Sequence, residues 1–486
     1  MERIDKCNII PVVKKCHSFG QKIRILPCIY TEKKEFYPLI KVCCEYTKKV
    51  LGKVFREEPG GVCLILDEKL ERESYVIRVD DEVKIWASDY QGCAYGLATL
   101  LQLMDDKMEV EKVQIEDKPD KDYRGLMIDL ARKWHPFPKL LHYVDICFFY
   151  KVKYLHLHFM DDQSYTLPSA VYPKLSLLER SYSFDEIRKL CSYAKERGVV
   201  LVPEIEMPGH AKSLVETYPD LFANCYDTEE SEILITEDGD TFKRESVVCA
   251  GSMRVFENIT RLIDEVMDLF PDSPYIHLGA DEVNTSSWKN CPMCREYMKQ
   301  KGIDDTQELY TDFVARATDY VLKKGRRPIV WEGFSKEYSH KISKEVIVIG
   351  WECHYQNPDD LISGGFEVIN CSWRPLYITS KRLMAKPGLW NETDILKWNV
   401  YEWQHWWEKS DATLNPFHLQ PTEQIIGAQL CEWEMTYECG IATIIIRLAA
   451  LSERTWSVKR FCSDEEFWAK LAMQMDKAFR MIAVDD

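Results

Sequence analysis

From about residue 120 onward the chain repeats one unit, an apolar run of strand length followed by an amphipathic helical pattern. The eight apolar runs read RGLMIDLA, KYLHLHFMDD, VVLVPEIEMPGH, YIHLGADEV, RPIVWEGF, EVIVIGWECH, FEVINCSWRPLY and IIGAQLCEWE. Near-continuous apolar strands that alternate with amphipathic helices are typical of a parallel sheet covered on both faces. Eight such units predict a (β/α)8 barrel, the TIM barrel.

Residues 1–120 lack this repeat. A helical pattern at YPLIKVCCEYTKKVLGKVF precedes the strand-like segments GVCLILD, SYVIRVD and EVKIWAS and a second helix, GCAYGLATLLQLM, which together are typical of an α+β domain. The polar stretch EDKPDKDY makes a linker. We therefore predict an N-terminal α+β domain at residues 1–120 and a barrel with a C-terminal helix at residues 121–486. A chain of 486 residues is long enough for both.

Charge and hydropathy limit the partners. The formal net charge is −16 and is spread along the chain, which argues against a nucleic acid or an anionic membrane as partner, because both need a basic face. No apolar stretch approaches the roughly eighteen residues that a membrane span requires. The first residues, MERIDKCNIIPVVKKC, contain no uninterrupted apolar segment of the signal-peptide kind, so we expect a cytoplasmic protein.

The 18 cysteines fall mainly inside apolar runs such as HYVDICFFY and FEVINCSW. In such runs cysteine behaves as a small apolar residue, and we expect free thiols in a reducing compartment. Cys291 and Cys294 form a single CxxC pair without a second pair at zinc-ribbon spacing. On that spacing we predict no metal site.

In a barrel of this kind, reactive side chains lie at the carboxyl ends of the strands, where the loops converge. Acidic and basic residues follow the first four strands, and aromatic and acidic residues follow the last four. The first group is Asp129, Arg132, Asp161, Asp162, Glu206, His210, Asp281 and Glu282, and the second is Trp331, Glu332, Trp351, Glu352, Tyr377, Trp433 and Glu434. Carboxylates beside flat aromatic faces indicate a sugar site. The alternative for each tryptophan is simple packing in the barrel.

The stretch IHLGADEVN places Asp281 and Glu282 next to each other. Adjacent residues of a strand point to opposite faces, so both acids can reach one pocket only where the strand has already become a loop. A solvated acidic turn is the alternative interpretation of the pair.

Six blocks, in order, resemble glycoside hydrolase family 20, the β-N-acetylhexosaminidases: YRGLMIDLARKWHP, HLHFMDDQS, VPEIEMPGH, HLGADEV, VWEGF and GAQLCEW. The segment ending in YGLATLLQLM resembles the small domain that precedes the barrel in that family. The resemblance covers nearly the whole chain. It implies an exo-acting, retaining hydrolase that releases terminal β-linked N-acetylhexosamine from glycans with the help of the substrate's own 2-acetamido group.

The resemblance also implies roles for individual residues. Glu282 would be the general acid and then the general base, Asp281 would accept the acetamido N–H, and Tyr377 would donate its hydroxyl to the acetamido oxygen. No enzyme nucleophile, cofactor or metal is then needed. The implied substrate-binding residues are Arg124 on the sugar hydroxyls, Asp161 and His210 behind Glu282, and Trp331, Trp351 and Trp433 around the acetamido group, with Glu434 beside them.

Two positions depart from the family pattern. Thr379 and Met435 stand where relatives carry carboxylates that hold the O4 and O6 edge of the sugar. Loss of both predicts a relaxed edge that accepts N-acetylgalactosamine beside N-acetylglucosamine. Basic residues near Thr379, Arg374 and Lys381, would also admit a 6-O-sulfated N-acetylglucosamine.

The alternative to a relaxed edge is that another acid replaces the missing carboxylates. Glu434 is one candidate, and Glu392 in the 380–410 loop is the other.

Two different functions compete with glycoside hydrolysis. His156 and His158 lie on one face of a strand and, with Asp161, would suit a metal-dependent hydrolase, but strands five, seven and eight supply no further histidine. A sugar-binding protein without activity is the second alternative, and the intact pair Asp281 and Glu282 argues against it.

Overall fold

The computed structural model describes residues 7–177, 179–224, 233–235, 241–243, 247–379 and 390–483. The first part of the chain forms one seven-stranded sheet with the strand order β1-β7-β5-β6-β4-β2-β3. Its elements are β1 (Lys15–Arg24), β2 (Cys28–Thr31), α1 (Tyr37–Leu51), β3 (Arg56–Glu57), β4 (Val62–Leu66), β5 (Tyr75–Val79), β6 (Val83–Ala87), α2 (Tyr90–Leu103) and β7 (Glu109–Asp117). Burial alternates along β5 and β6, as a sheet with one covered face requires.

The second part is a closed barrel of eight parallel strands. These are β8 (Tyr123–Asp129), β9 (Tyr154–His158), β10 (Val200–Glu204), β13 (Tyr275–His277), β14 (Arg327–Trp331), β15 (Ile347–Gly350), β16 (Glu367–Asn370) and β20 (Ile425–Glu432). Each strand pairs with its neighbour, and β20 pairs with both β16 and β8, which closes the barrel. The predicted (β/α)8 fold behind a small α+β domain is confirmed. The limits 1–120 and 121–486 stay predictions.

Helices and short strands connect the barrel strands, and the last two helices follow the final strand. The helices are α3 (Phe137–Phe149), α4 (Phe184–Glu196), α5 (Lys212–Thr217), α6 (Pro219–Phe222), α7 (Met253–Leu269), α8 (Pro292–Lys301), α9 (Thr306–Lys323), α10 (Pro358–Ser363), α11 (Trp373–Leu376), α12 (Glu392–Lys397), α13 (Tyr437–Trp456) and α14 (Asp464–Ile482). The short strands are β11 (Ile233–Ile235), β12 (Thr241–Lys243), β17 (Tyr377–Ile378), β18 (Glu402–Trp403) and β19 (Phe417–His418). Single 3-10 turns occur at Lys34–Phe36, Ser286–Lys289 and Ser339–Lys341.

Local sequence explains where the helices begin. The Ser183 side chain accepts from the Glu186 N–H and Glu186 reaches back, a capping box that starts α4. Ser463 and Glu466 do the same for α14. Among the described residues, no helix has the length and apolar character to cross a membrane.

The amino ends of the barrel strands lie against the small domain, and Arg124 is buried at this junction. Its guanidinium donates to the carbonyl oxygens of Lys121 and Lys151 and to the Tyr95 hydroxyl, and it lies over the Trp456 ring. Arg124 opens β8, whereas the pocket lies at the other end of that strand. The prediction that Arg124 binds sugar hydroxyls is therefore wrong.

Arg124→Met is expected to lower the free energy of unfolding by about 3 kcal/mol, because it leaves buried acceptors and the Glu73 carboxylate, 3.9 Å from the guanidinium, without their cation. Urea unfolding followed by circular dichroism measures the change. Arg56→Met is the matched control, since the Arg56 side chain is 69% exposed. Equal unfolding midpoints for Arg124→Met and the unsubstituted chain would contradict the structural role.

Candidate active site

A cavity of about 630 Å³ opens at the carboxyl ends of the barrel strands. Its walls come mainly from the loops that follow strands four to eight. The lining residues are Arg132, Glu282, Val283, Asn284, Trp351, Glu352, His354, Tyr355, Trp373, Tyr377, Thr379, His405, Trp406, Trp407, Lys409, Trp433 and Glu434. The cavity has the size of a pocket for a small ligand.

The backbone leaves its strand before it reaches the adjacent acids. The strand β13 ends at His277, and Gly279, Ala280 and Glu282 all have positive φ angles, of 65°, 78° and 47°. This irregular segment turns the two neighbouring side chains to one side of the barrel. Asp281 lies buried behind the cavity wall, and Glu282 lines the cavity itself. Left-handed conformations at Ala280 and Glu282 cost roughly 1–2 kcal/mol each, so the surrounding packing has to hold them.

Four predicted residues form one connected group beside the cavity. The His210 Nδ1 atom lies 3.2 Å from Asp161 Oδ1, and its Nε2 atom lies 3.6 Å from Asp281 Oδ2 and 3.4 Å from Glu282 Oε2. His210 itself has a φ angle of 48°, in the loop after β10. The imidazole therefore bridges a buried carboxylate and the adjacent acid pair.

Charges within this group shift the pKa values of its members. Burial and the Glu282 charge raise the pKa of Asp281 to about 6, against the opposing effect of His210. Burial disfavours the charged imidazole, but the Asp161 and Asp281 carboxylates outweigh it and raise the pKa of His210 well above its usual range. The Asp281 Oδ1 atom has no hydrogen-bond partner within the described ranges. The site thus holds a protonated histidine and a carboxylate oxygen available to a donor.

Aromatic rings form the other side of the cavity. The Trp351 and Tyr377 rings are nearly parallel at 6.3 Å, and Trp433 lies 6.2 Å from Tyr377. Trp331 lies deeper, with its ring 5.9 Å from that of Trp433 and its Nε1 donating to Glu204 Oε1 at 2.6 Å. Trp351 and Trp433 are walls of the cavity, whereas Trp331 supports them from below. Tyr377 reaches the cavity because β17 pairs with the end of β20.

Arg132 occupies the place that the sequence assigned to Arg124. It lines the cavity, its Nη2 atom lies 2.6 Å from Asp161 Oδ2, and its guanidinium lies over the Trp433 ring. Glu434 is also in the cavity wall, 3.9 Å from Arg132 Nε. Arg132 follows the carboxyl end of β8, and that position was the signal that favoured it.

Sequence reasoning missed an aromatic segment. Trp373 packs against Tyr377, with ring centroids 4.7 Å apart, and the 405–407 segment adds His405, Trp406 and Trp407 to the cavity wall. The run WQHWW at residues 403–407 was visible in the sequence, but it lies between the last two barrel strands and not directly after either of them.

Some of the residues predicted to hold the O4 and O6 edge of the sugar lie in the described part of the chain. Thr379 is buried in the cavity wall, and its Oγ1 atom has no hydrogen-bond partner in the part of the chain that the structure describes. Lys381 lies outside the described residues. Of the two acids expected to compensate, Glu434 lines the cavity and Glu392 does not.

His156 and His158, the pair considered for a catalytic metal, lie inside the barrel against Glu204. The His156 Nε2 atom lies 3.0 Å from Glu204 Oε2, and His158 Nδ1 contacts the same oxygen. Neither histidine lines the cavity. This geometry gives them a supporting position below the site.

The chain folds as a TIM barrel with an acid-lined pocket at the strand ends, and comparisons with known proteins give its family. The model of the glycosyl hydrolase family 20 catalytic domain matches residues 122–459, and the model of domain 2 of that family matches residues 43–118. The chain therefore belongs to glycosyl hydrolase family 20.

Curated relatives of the chain are named β-hexosaminidases. A β-hexosaminidase of Porphyromonas gingivalis is 32% identical over 360 residues, which cover 67% of this chain and 45% of the relative. A β-hexosaminidase of Akkermansia muciniphila is 34% identical over 299 residues, which cover 57% of this chain and 59% of the relative. The chain spans about half the length of these curated relatives.

Solved structures share the fold. The exo-β-N-acetylglucosaminidase of Vibrio harveyi has a TM-score of 0.80 at 22% identity and covers 98% of this chain and 77% of its own. A β-N-acetylhexosaminidase of Bacteroides fragilis has a TM-score of 0.77 at 23% identity, with coverage of 96% and 94%.

Below the acid pair, Glu206 provides a test of the electrostatics. Burial raises the pKa of Glu206 well above its usual range, and the Asp281 and Glu204 carboxylates raise it further. A carboxyl group with a raised folded pKa stabilises the fold below its unfolded pKa, near 4.5, and that contribution is lost as the pH rises towards the folded pKa.

Glu206→Gln should remove this loss. The free energy of unfolding of the variant minus that of the unsubstituted chain is expected to increase from about pH 5 to about pH 8, with a slope of up to about 1.4 kcal/mol per pH unit. Urea unfolding across that range measures it. Glu216→Gln is the control, because the Glu216 side chain is 68% exposed. A difference independent of pH for Glu206→Gln would show that the carboxyl group stays in one protonation state.

Proposed function

We propose that the chain is an exo-acting, retaining β-N-acetylhexosaminidase that removes terminal β-linked N-acetylhexosamine from glycans. The observation that carries the proposal is the position of Glu282, in the cavity wall and 3.4 Å from His210, with Asp281 directly behind it. A proton donor, a supporting cation and a buried carboxylate acceptor stand on one side of an aromatic pocket. This arrangement suits cleavage of a glycosidic bond without an enzyme nucleophile.

In the proposed reaction, Glu282 gives its proton to the glycosidic oxygen while the acetamido oxygen of the substrate attacks the anomeric carbon. The bond to the leaving group breaks, and a cyclic oxazolinium forms. Glu282, now a carboxylate, takes a proton from the water that opens this ring, which returns the acid form. His210 also contacts the Asp161 carboxylate. This contact holds the imidazole in place beside Glu282 through both steps.

Asp281 and Tyr377 would orient the acetamido group. The free Oδ1 atom of Asp281 can accept the acetamido N–H, whose positive charge grows as the ring closes. The Tyr377 hydroxyl, from the opposite aromatic wall, is the donor proposed for the acetamido oxygen. The Trp351 ring, which lies nearly parallel to that of Tyr377, offers a flat apolar face to the planar acetamido group.

Arg132 takes the role first given to Arg124. Its planar fork faces the cavity beside Glu434, and a fork of N–H donors with a carboxylate suits the vicinal hydroxyls of a pyranose ring. Trp433, under the guanidinium, offers its face to the apolar side of the sugar.

Glu282→Gln should lower kcat by about 10²- to 10⁴-fold for a natural disaccharide, because the leaving group receives no proton. An aryl glycoside with an activated leaving group should lose much less, since it departs without protonation. Steady-state kinetics on both substrates measures the ratio. Losses of equal size on the two substrates would contradict the role of Glu282 as the acid.

Binding of a thiazoline mimic of the cyclised intermediate is the control for this experiment. It should inhibit the unsubstituted chain tightly and still bind Glu282→Gln, because the acetamido pocket is unchanged. Asp281→Asn should bind the mimic more weakly and slow both substrates alike. Weak binding of the mimic by the unsubstituted chain would count against substrate assistance.

The sugar edge gives a second expectation. The unpartnered hydroxyl of Thr379 and the absence of a carboxylate at Met435 support a relaxed O4 and O6 edge, and Glu434 supports the alternative in which one carboxylate remains. We expect kcat/KM for aryl glycosides of N-acetylgalactosamine and 6-O-sulfated N-acetylglucosamine within about a hundredfold of that for N-acetylglucosamine. If Glu434 is the remaining carboxylate, Glu434→Gln should reduce the difference in kcat/KM between N-acetylglucosamine and the other two sugars. A preference for N-acetylglucosamine beyond roughly a thousandfold over both sugars would reject the relaxed edge.

A further inference from the structure

Three buried cysteines from two separate loops converge away from the cavity. The Cys249 Sγ atom lies 3.7 Å from Cys291 Sγ and 3.6 Å from Cys294 Sγ, and all three sulfur atoms lie within 4.8 Å of one another. Cys249 precedes α7, whereas Cys291 and Cys294 lie at the start of α8. The CxxC pair that lacked a second pair in the sequence therefore has a third cysteine in space.

The separations of 3.6 and 3.7 Å fit sulfur ligands of one metal ion and are too long for a disulfide. A disulfide would bring two sulfur atoms to about 2.05 Å, which is much closer. Tetrahedral zinc with Zn–S bonds of about 2.3 Å places neighbouring sulfur ligands about 3.8 Å apart.

Two of the three cysteines lie at the N-terminus of α8. Cys291 is the residue before the first turn of α8, and Cys294 is in that turn, where the helix N-terminus stabilises negative charge. The Arg316 guanidinium donates at 2.7 Å to the carbonyl oxygen of Ala250, the residue after Cys249. This bond ties the loop that carries Cys249 to α9, the helix of Arg316.

We propose that Cys249, Cys291 and Cys294 bind one thiophilic divalent cation, zinc, as a structural site. Soft thiolates select zinc over calcium or magnesium. The three cysteines fill three of the four positions of a tetrahedral zinc site, and one further donor fills the fourth. Because the site lies outside the cavity and uses none of its residues, the proposal is independent of the proposed hydrolase activity.

The position of the cluster indicates what the metal would do. The Val248 N–H donates to Pro208 O at 3.0 Å, and Trp288 Nε1 donates to Val248 O at 3.0 Å. The metal would therefore tie the loop after β10, which carries His210, to the loop after β13, which carries Glu282. Zinc would therefore help to keep His210 close to Glu282.

The test uses the full chain, expressed with zinc and freed of loose metal by gel filtration. Elemental analysis should find about one zinc per chain, and cobalt exchanged into the site should show thiolate-to-cobalt charge transfer with the visible bands of a tetrahedral site. Cys249→Ala and Cys294→Ala should each lose at least about nine-tenths of the zinc. Cys147→Ala, at a buried cysteine of α3, should retain it.

A second measurement does not depend on the variants folding. Removal of zinc from the unsubstituted chain with a chelator should lower Tm by about 4 °C or more, and zinc, but not magnesium, should restore it. A purified chain that contains no zinc and takes up neither zinc nor cobalt would overturn the proposal. Zinc content in Cys249→Ala and Cys294→Ala equal to that of the unsubstituted chain would overturn it as well.

Discussion

The buried carboxylate of Glu204 is the charge around which the barrel interior is arranged. His277 Nδ1 lies 2.8 Å from one of its oxygens, His156 Nε2 lies 3.0 Å from the other, and His158 contacts that second oxygen too. Trp331 donates to it from β14. Burial favours the neutral acid, but the three histidines outweigh it and hold the pKa of Glu204 well below its usual range. One anion thus joins the carboxyl ends of four neighbouring strands.

A series of charged side chains leads from Glu204 to the cavity. His158 Nε2 lies 3.0 Å from Asp161 Oδ2, and Asp161 contacts both Arg132 and His210. From Glu204 to Glu282, negative and positive groups therefore alternate along one path. A buried ion pair is costly to break, and each group here has partners on both sides, so the position of Glu282 depends on charges that lie well below the cavity floor.

The sequence allowed the barrel and the acid pair to be predicted because both depend on local pattern. Apolar runs mark strands, and residues after a run lie at the mouth of a barrel. The prediction for Arg124 was wrong because the family resemblance was applied to a residue at the start of β8. The cavity lies at the carboxyl end of that strand, which Arg132 follows. The 403–407 aromatic segment and the convergence of Cys249 with the CxxC pair were not predictable, since each depends on contacts between segments far apart in the chain. No periodicity reports which distant loops meet.

The junction between the two domains limits how this protein can change in evolution. Three cations at the amino ends of the barrel strands have their anions in or next to the small domain: Arg124 and Lys153 face Glu73, and Lys151 faces Asp117. Lys151 also donates to Tyr75, within the sheet of that domain. A barrel that lost its small domain would leave Arg124 and Lys151 without these anions, and Lys153 would keep only Asp122, 2.6 Å away. These ion pairs couple the stability of the barrel to the small domain and favour inheritance of the two domains as one unit.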